Sequence, residues 1–435
     1  VPFFQEIEHA VLSDVGIRRS HNQDAYSIQK ADNRQAWQTI GHIFLVCDGM
    51  GGHAVGEKAS AKAAQEIPLI YSKHASEGPA NALRKAFQET NAGLFSIGTS
   101  NPEFKGMGTT ATGLVLRDEG AWIAHVGDSR AYRIRAGVVE QLTYDHSYAW
   151  ELARRMGIPP EDLGDIKKNV IVRSLGPDTF VQVDVEGPHP LLDGDTFVLC
   201  SDGLSNLVEP AEIGALVGLL PLQEAAKQLV ELANLRGGPD NITVLIVRVG
   251  TTQDSYMAPR ISITGLAKKA GKAWLKRVPW PLMVLSLGLL FATLFVVFLA
   301  RDWKAGSALF GAFTFLSLAA GAIGLVQMAK APPPEPEEPA VTNGPLNIYK
   351  RYPSVVDRNL VLKWRHATEQ VKEEIAKRQI PVDLATYSQH DQNTQKALDE
   401  NDLFVAFREQ ARALFTLGNA FNRSRHRDES FQPKW

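Results

Sequence analysis

The sequence predicts an α+β fold over about its first 250 residues, and three observations carry that prediction. Short runs rich in Val, Ile, Phe and Leu, at His42–Cys47, Ala111–Leu116, Trp122–Val126, Phe197–Cys200 and Ile242–Val249, read as strands. Segments of helical period lie between them. Leu83, Phe87, Thr90 and Leu94 recur on one face, as do Ala225, Leu229 and Leu232 within Leu222–Leu235. Turn chemistry joins the elements, at Asp48-Gly49, Asp193-Gly194, Asp202-Gly203 and Gly237-Gly238-Pro239-Asp240.

Several strand runs are apolar without alternation, which calls for burial on both faces and hence a layered mixture of sheets and helices. The length of 435 residues allows two to three units at about 150 residues each. A formal net charge of −2 gives no reason to expect nucleic acid or an acidic surface as partner. The two cysteines, Cys47 and Cys200, exclude a disulfide framework and a cysteine zinc site, and read as small buried strand residues. The chain begins at Val1, so its true N-terminus is expected upstream, and its start lacks the basic-then-apolar layout of a secretory signal.

Beyond residue 250 the composition changes. Residues 251–278 form a basic linker, and residues 279–330 are expected to form a transmembrane hairpin of spans at about 281–300 and 305–329. Each is uncharged and of the ~20 residues that cross a hydrocarbon core. The connection Arg301-Asp302-Trp303-Lys304 allows only a tight turn. Lys268, Lys269, Lys272, Lys276 and Arg277 precede the first span, against Arg301 and Lys304 in the turn, which places the basic flank, and so both soluble parts, in the cytoplasm. Residues 331–345 are a Pro/Glu-rich spacer. Residues 346–435 are a helical region of unknown role, with Leu360, Trp364, Ala367, Val371 and Ile375 lining one helix and Leu403, Phe407, Ala411, Leu414, Gly418 and Phe421 another. A small bundle packing on itself is the expectation there.

Five aspartates sit in distinctive settings. Asp24 ends Gly16-Ile17-Arg18-Arg19-Ser20-His21-Asn22-Gln23-Asp24, and Asp48 opens Asp48-Gly49-Met50-Gly51-Gly52-His53 after a strand. Asp128 lies in Gly127-Asp128-Ser129-Arg130, Asp202 in Ser201-Asp202-Gly203, and Asp240 precedes Asn241 and the last strand. Any one of them alone is an ordinary turn residue. Strands sharing one core bring the acids at their ends to one edge. Two unit charges 4 Å apart repel by ~4 kcal/mol at an effective dielectric near 20, so such a cluster attracts cations. Oxygen-only ligands select hard ions, Mg²⁺ or Mn²⁺, and two ions sharing a carboxylate activate a water.

The ordered motifs Gly-x-x-Arg…Asn-Gln-Asp, Asp-Gly-Met-Gly-Gly, Gly-x-Gly-Thr-Thr, Gly-Asp-Ser-Arg, Ser-Asp-Gly-Leu and Asp-Asn-Ile-Thr resemble the protein phosphatase 2C-type family of metal-dependent Ser/Thr protein phosphatases, bacterial branch, from about Val11 to Val249. The resemblance implies a four-layer αββα sandwich in residues 1–250, and hydrolysis of phosphoserine and phosphothreonine by a metal-bridged water. A catalytically weak phosphatase-fold sensor of phosphoproteins is the alternative. It implies that Asp48 bridges two ions, that the Gly49 carbonyl, Asp202 and Asp240 complete the first shell, that Asp24 lies at the same centre, and that Asp128 with Asp202 holds a third ion. Arg19 corresponds to the arginine that grips substrate phosphate, with Arg18 as the neighbouring alternative. Gln23 stands where many members carry Glu, and Met50 where animal members carry a histidine, leaving His53 either as a candidate general acid or as a histidine that holds the glycine-rich turn. The segment from Tyr144 to Val170 falls at the family's flap. The resemblance implies phosphoprotein partners, while the expected hairpin alone adds lipid and phosphoproteins of a Ser/Thr kinase at the membrane.

Two further patterns lead nowhere. Gly51–Lys58 approaches a phosphate-binding loop, but Glu57 would repel phosphate. Asn241-Ile242-Thr243 has the glycosylation pattern in a chain expected in the cytosol.

Overall fold

The computed structural model describes residues 6–51, 54–163, 170–250, 280–300, 303, 308–320, 349–425, 431 and 433. Two compact units emerge, one of Val1–Pro259 with Gly344–Trp435, the other Arg260–Asn343.

The first unit is built on two antiparallel sheets. One runs in the order β1 (Ile7–Asp14), β11 (Ile242–Val249), β10 (Thr196–Cys200), β7 (Arg130–Arg135), β8 (Val138–Gln141), β12 (Lys350–Pro353). The other runs β2 (Asp24–Gln29), β3 (His42–Met50), β5 (Ala111–Arg117), β6 (Gly120–Val126), β9 (Asp184–His189), with β4 (Gly108–Thr109) paired to β3. Side-chain alternation explains the unbroken apolar runs. On β11, Leu245, Val247 and Val249 enter the core between the sheets with Phe44, Val46, Leu114 and Phe197. Ile242, Val244 and Ile246 enter the opposite core, under the helices α6 (Pro210–Leu219) and α7 (Leu222–Leu235). On β3, Ile43, Leu45 and Cys47 face a third core under α2 (Ala54–His74) and α3 (Pro79–Ser100). Helix, sheet, sheet and helix thus stack as four layers around three cores. Each fully buried Leu, Ile or Phe contributes ~1.5–3 kcal/mol of transfer energy.

The C-terminal region departs from the expectation of a bundle packing on itself. Its helices Arg358–Arg378, Leu384–Asp399 and Leu403–Ser424 do meet one another, but Trp364, Phe407, Leu414 and Phe421 share one core with α6, α7 and the first sheet. Strand β12 continues that sheet, with Lys350 opposite Gln141 and Pro353 opposite Val138. Four residues carrying two charges and a proline give no apolar signal, which is why the strand was not expected. Buried and half-buried polar bonds fix the join. Trp364 Nε1 donates to Glu212 Oε1 (3.3 Å), Arg412 Nε to Glu224 Oε1 (2.7 Å), and Asn422 Nδ2 to Glu231 Oε2 (2.6 Å). A Cβ on Gly418 would stand 2.8 Å from Leu235, so the glycine lets the last helix close on α7.

In the second unit a 21-residue helix, Trp280–Ala300, lies antiparallel beside a helix over 308–320. Phe291 stacks on Phe313 (5.4 Å), Gly288 faces Leu318, and Gly311 faces Phe295. Among the described residues no helix is long and apolar enough to cross a membrane. The basic linker, the spacer and part of the range 305–329 lie outside the described residues.

Candidate active site

The antiparallel registers bring the acids together. Asp24 is the Cα partner of Asp48 across β2 and β3. β10 ends at Cys200, two residues before Asp202, and β11 begins two residues after Asp240. Asp128 follows the end of β6. All five strand ends meet at one edge of the sandwich, and every pair that matters there comes from residues distant in sequence.

The loop positions are fixed by polar groups that carry no periodic signal. Asn241 donates through Nδ2 to the carbonyls of Val15 and His21 (2.9 Å each), and its Oδ1 accepts from the Gln23 amide (2.9 Å). The Asp48 amide donates to Thr110 Oγ1 (2.9 Å), whose hydroxyl also bonds Ser129 Oγ (2.8 Å). Thr109 Oγ1 and the Thr110 amide donate to the Asp48 carbonyl at 2.9 and 2.8 Å. The paired threonines of Gly-x-Gly-Thr-Thr therefore clamp the backbone of Asp48. Sequence reasoning missed this role, although the motif marked the place. Glycine is required at 49, where a Cβ would meet the Gly56 carbonyl at 2.2 Å and the Gln23 carbonyl at 2.6 Å.

Charge is under strain at this edge. Burial first, then the fields of Asp24, Asp202, Asp128 and Asp240, push the Asp48 carboxyl well above the ordinary carboxylate range. Burial raises Asp24 to about 7, offset by hydrogen bonds from Thr243 and Ser201 and reinforced by Asp202 and Asp240. Burial, with Asp202 and Asp145, raises Asp128 to about 8; burial, with Asp240, raises Asp202 to about 6. Ser201 Oγ donates to Asp24 Oδ2 at 2.7 Å. Oδ1 of Asp24, of Asp128 and of Asp202 are buried with no hydrogen-bond partner. Unpartnered buried carboxylate oxygens are costly unless something positive meets them. The donors are oxygens alone, and so the residues fit hard divalent ions. Among the described residues no group of three or more His, Cys, Asp or Glu already stands in ligating position.

Arg19 reaches the same place. Its Nη2 donates to Asp240 Oδ2 at 2.8 Å, with the two side chains 46% and 32% exposed, so the guanidinium sits at the rim, accessible to a ligand. Arg18 is exposed as well. His53, the candidate general acid, lies outside the described residues. Cys47 and Cys200 are buried free thiols, and burial raises both, Cys200 to about 12, so neither is poised as a nucleophile.

A pocket beside the acids is lined by Asp128, Asp202, Arg130, Asp145, Trp150 and Glu161, among others. Arg130 grips Asp145 through both oxygens (2.6–3.0 Å), a buried pair that sequence reasoning did not find. The helix α4 (Tyr148–Met156) is capped by Ser147 and ended by Gly157 in the left-handed region, and with Pro160–Leu163 it forms one wall.

The comparisons agree with this geometry. The family model for protein phosphatase 2C matches residues 12–152. The chain is 36% identical over 247 residues to the serine/threonine phosphatase stp of Listeria monocytogenes, covering 95% of that protein and 55% of this chain. It is 35% identical to protein phosphatase PhpP of Streptococcus pneumoniae, covering 97% of that protein and 55% of this chain. The solved S. agalactiae serine/threonine phosphatase superposes with a TM-score of 0.51 at 32% identity, over 99% of that chain and 56% of this one. Near-complete coverage of such relatives, six ordered motifs and a shared sandwich lead to one conclusion: the chain belongs to the protein phosphatase 2C family.

Proposed function

We propose that the chain is a protein serine/threonine phosphatase, hydrolysing phosphoserine and phosphothreonine with solvent as the nucleophile. The observation that carries this reading is the set of buried, unpartnered oxygens on Asp24, Asp128 and Asp202 around Asp48. Asp48, the Gly49 carbonyl, Asp202 and Asp240 would hold two Mg²⁺ or Mn²⁺ ions, with Asp24 beside them and Asp128 and Asp202 serving a third. Bound there, the ions would supply Lewis acidity toward phosphate oxygens and lower the pKa of water.

This chain's own residues do the rest. The Thr109 and Thr110 bonds keep the Asp48 backbone from shifting as charge develops. Arg19 offers a planar fork that takes two phosphate oxygens at once, and Asp240 holds it at the rim until substrate arrives. His53 is the proposed proton donor to the leaving alkoxide. Assay of the full chain with Mn²⁺ on p-nitrophenyl phosphate tests the reading. Turnover that is lost in Asp48→Ala supports it, whereas no turnover in the parent protein favours a sensor.

The localisation belongs to the same proposal. Residues 281–300 and 305–329 would form a membrane hairpin, with residues 1–250 and 346–435 cytoplasmic and substrates drawn from phosphoproteins at the membrane, including those of a Ser/Thr kinase. What supports it is the uncharged length of both segments and the exposure of Leu289, Val296, Leu299, Phe315 and Leu316 on the antiparallel helices. Alkaline extraction of cell membranes decides it: protein released into the soluble fraction would remove the anchor.

A further inference from the structure

The pocket beside Asp128 and Asp202 is walled by α4 and by Pro160–Leu163, and both walls are held by the C-terminal region. Lys350, on β12, ion-pairs with Glu161, and its Nζ stands 4.3 Å from the centre of the Trp150 ring. Its side chain is 19% exposed against 61% for Glu161, so the lysine is the anchored member of the pair. The register fixes it there, opposite Gln141 on β8. Tyr349 engages the other end of the wall. Its amide donates to the Gln141 carbonyl (3.0 Å) and its ring lies 5.7 Å from that of Tyr144, whose hydroxyl donates to the Trp150 carbonyl (2.6 Å).

Glu161 is a liability in this position. A phosphoryl group near pH 7 carries up to two negative charges, and a bare carboxylate lining the pocket beside Asp128 and Asp202 repels it. Lys350 cancels that charge while its own ammonium rests on the Trp150 ring.

We propose that Lys350 is a positioning residue for phosphopeptide binding: it neutralises Glu161 beside the site, so that the C-terminal region supplies the charge that lets a phosphopeptide approach. The 2C relatives match only about half of this chain, and β12, at Lys350–Pro353, reaches the sheet from the C-terminal region. The inference rests on the phosphatase reading of the site.

The test uses the full chain with Mn²⁺ and a fluorescein-labelled phosphothreonine peptide. Lys350→Ala raises KM and the anisotropy Kd about fivefold, with kcat within about twofold, the size expected when one largely exposed carboxylate is left uncompensated beside a phosphate. Lys350→Arg keeps both near the parent. Adding Glu161→Gln to Lys350→Ala restores KM, which a purely structural role for the lysine would not do, since the wall would stay unpinned. An unchanged Kd in Lys350→Ala, or a rise that persists in the double variant, overturns the proposal. Absent turnover in the parent protein would instead sink the phosphatase reading, and the anisotropy values would still report on Lys350.

Discussion

Two regions of the first unit, the edge where strands of both sheets end and the face of the first sheet under α6 and α7, are built on opposite principles. At the strand ends, five acids crowd together, with burial raising Asp24, Asp48, Asp128 and Asp202 and leaving carboxylate oxygens unpartnered. On the face covered by α6 and α7, acids are buried too, but each has its counterpart. Glu212 accepts from Arg236 Nη1 and Nη2 (2.7 and 2.8 Å) and from Trp364, and its carboxyl is held below the ordinary range despite burial. The same side-chain chemistry thus serves stability where a partner is supplied and ion binding where one is withheld.

Substitutions sharpen that contrast. The largest effect is expected at Trp364, fully buried between the C-terminal region and α6 and bonded to Glu212. Trp364→Ala should cost about 3–5 kcal/mol. Since the core is shared, residues 1–250 and the C-terminal helices should still unfold in one transition by circular dichroism; two separate transitions would break the case for a common core.

The acid end should respond to pH instead. Without ions, Asp24, Asp128 and Asp202 hold their protons folded up to about 7, 8 and 6, against about 4 in the unfolded chain. Such groups cost the folded state nothing below about pH 4, and progressively more as pH rises toward 8. The melting temperature in chelator should therefore fall by several degrees between pH 5 and pH 8, and Mn²⁺ should restore it most at the higher pH. A flat profile in chelator would mean the acids are not crowded. The smallest effect is expected for Arg412→Ala. Its pair with Glu224 is partly exposed, so the loss should stay below about 1 kcal/mol in urea unfolding.

What was legible in the sequence follows from the same contrast. Strands β3, β5, β10 and β11 announced themselves because both faces are apolar. Strand β12 and the helix Leu384–Asp399 did not, since a two-sided charge pattern and a helix burying only Tyr387, Thr394, Ala397 and Leu398 look like solvated chain. The aspartates were legible as acids after strands. Their supports, Thr110, Ser129, Ser201 and Asn241, were not, because a buried hydroxyl or amide leaves no periodic trace and its partner is remote in sequence. The union of the C-terminal region with α7 was illegible for a related reason. An amphipathic stripe such as Trp364 to Ile375 states that a face is covered, and not by what.

The central claim is that the crowded acids are a hard-ion site. Isothermal titration of the chelator-treated full chain with Mn²⁺ at pH 7.5 tests it most directly, with Asp48→Asn alongside. The parent protein should bind at least two ions, and Asp48→Asn should weaken the tighter of them at least about tenfold while melting higher in chelator, because the cost of burying an ionisable carboxyl among the other acids is gone. Equal Mn²⁺ binding by both proteins, or none by the parent, would contradict the account.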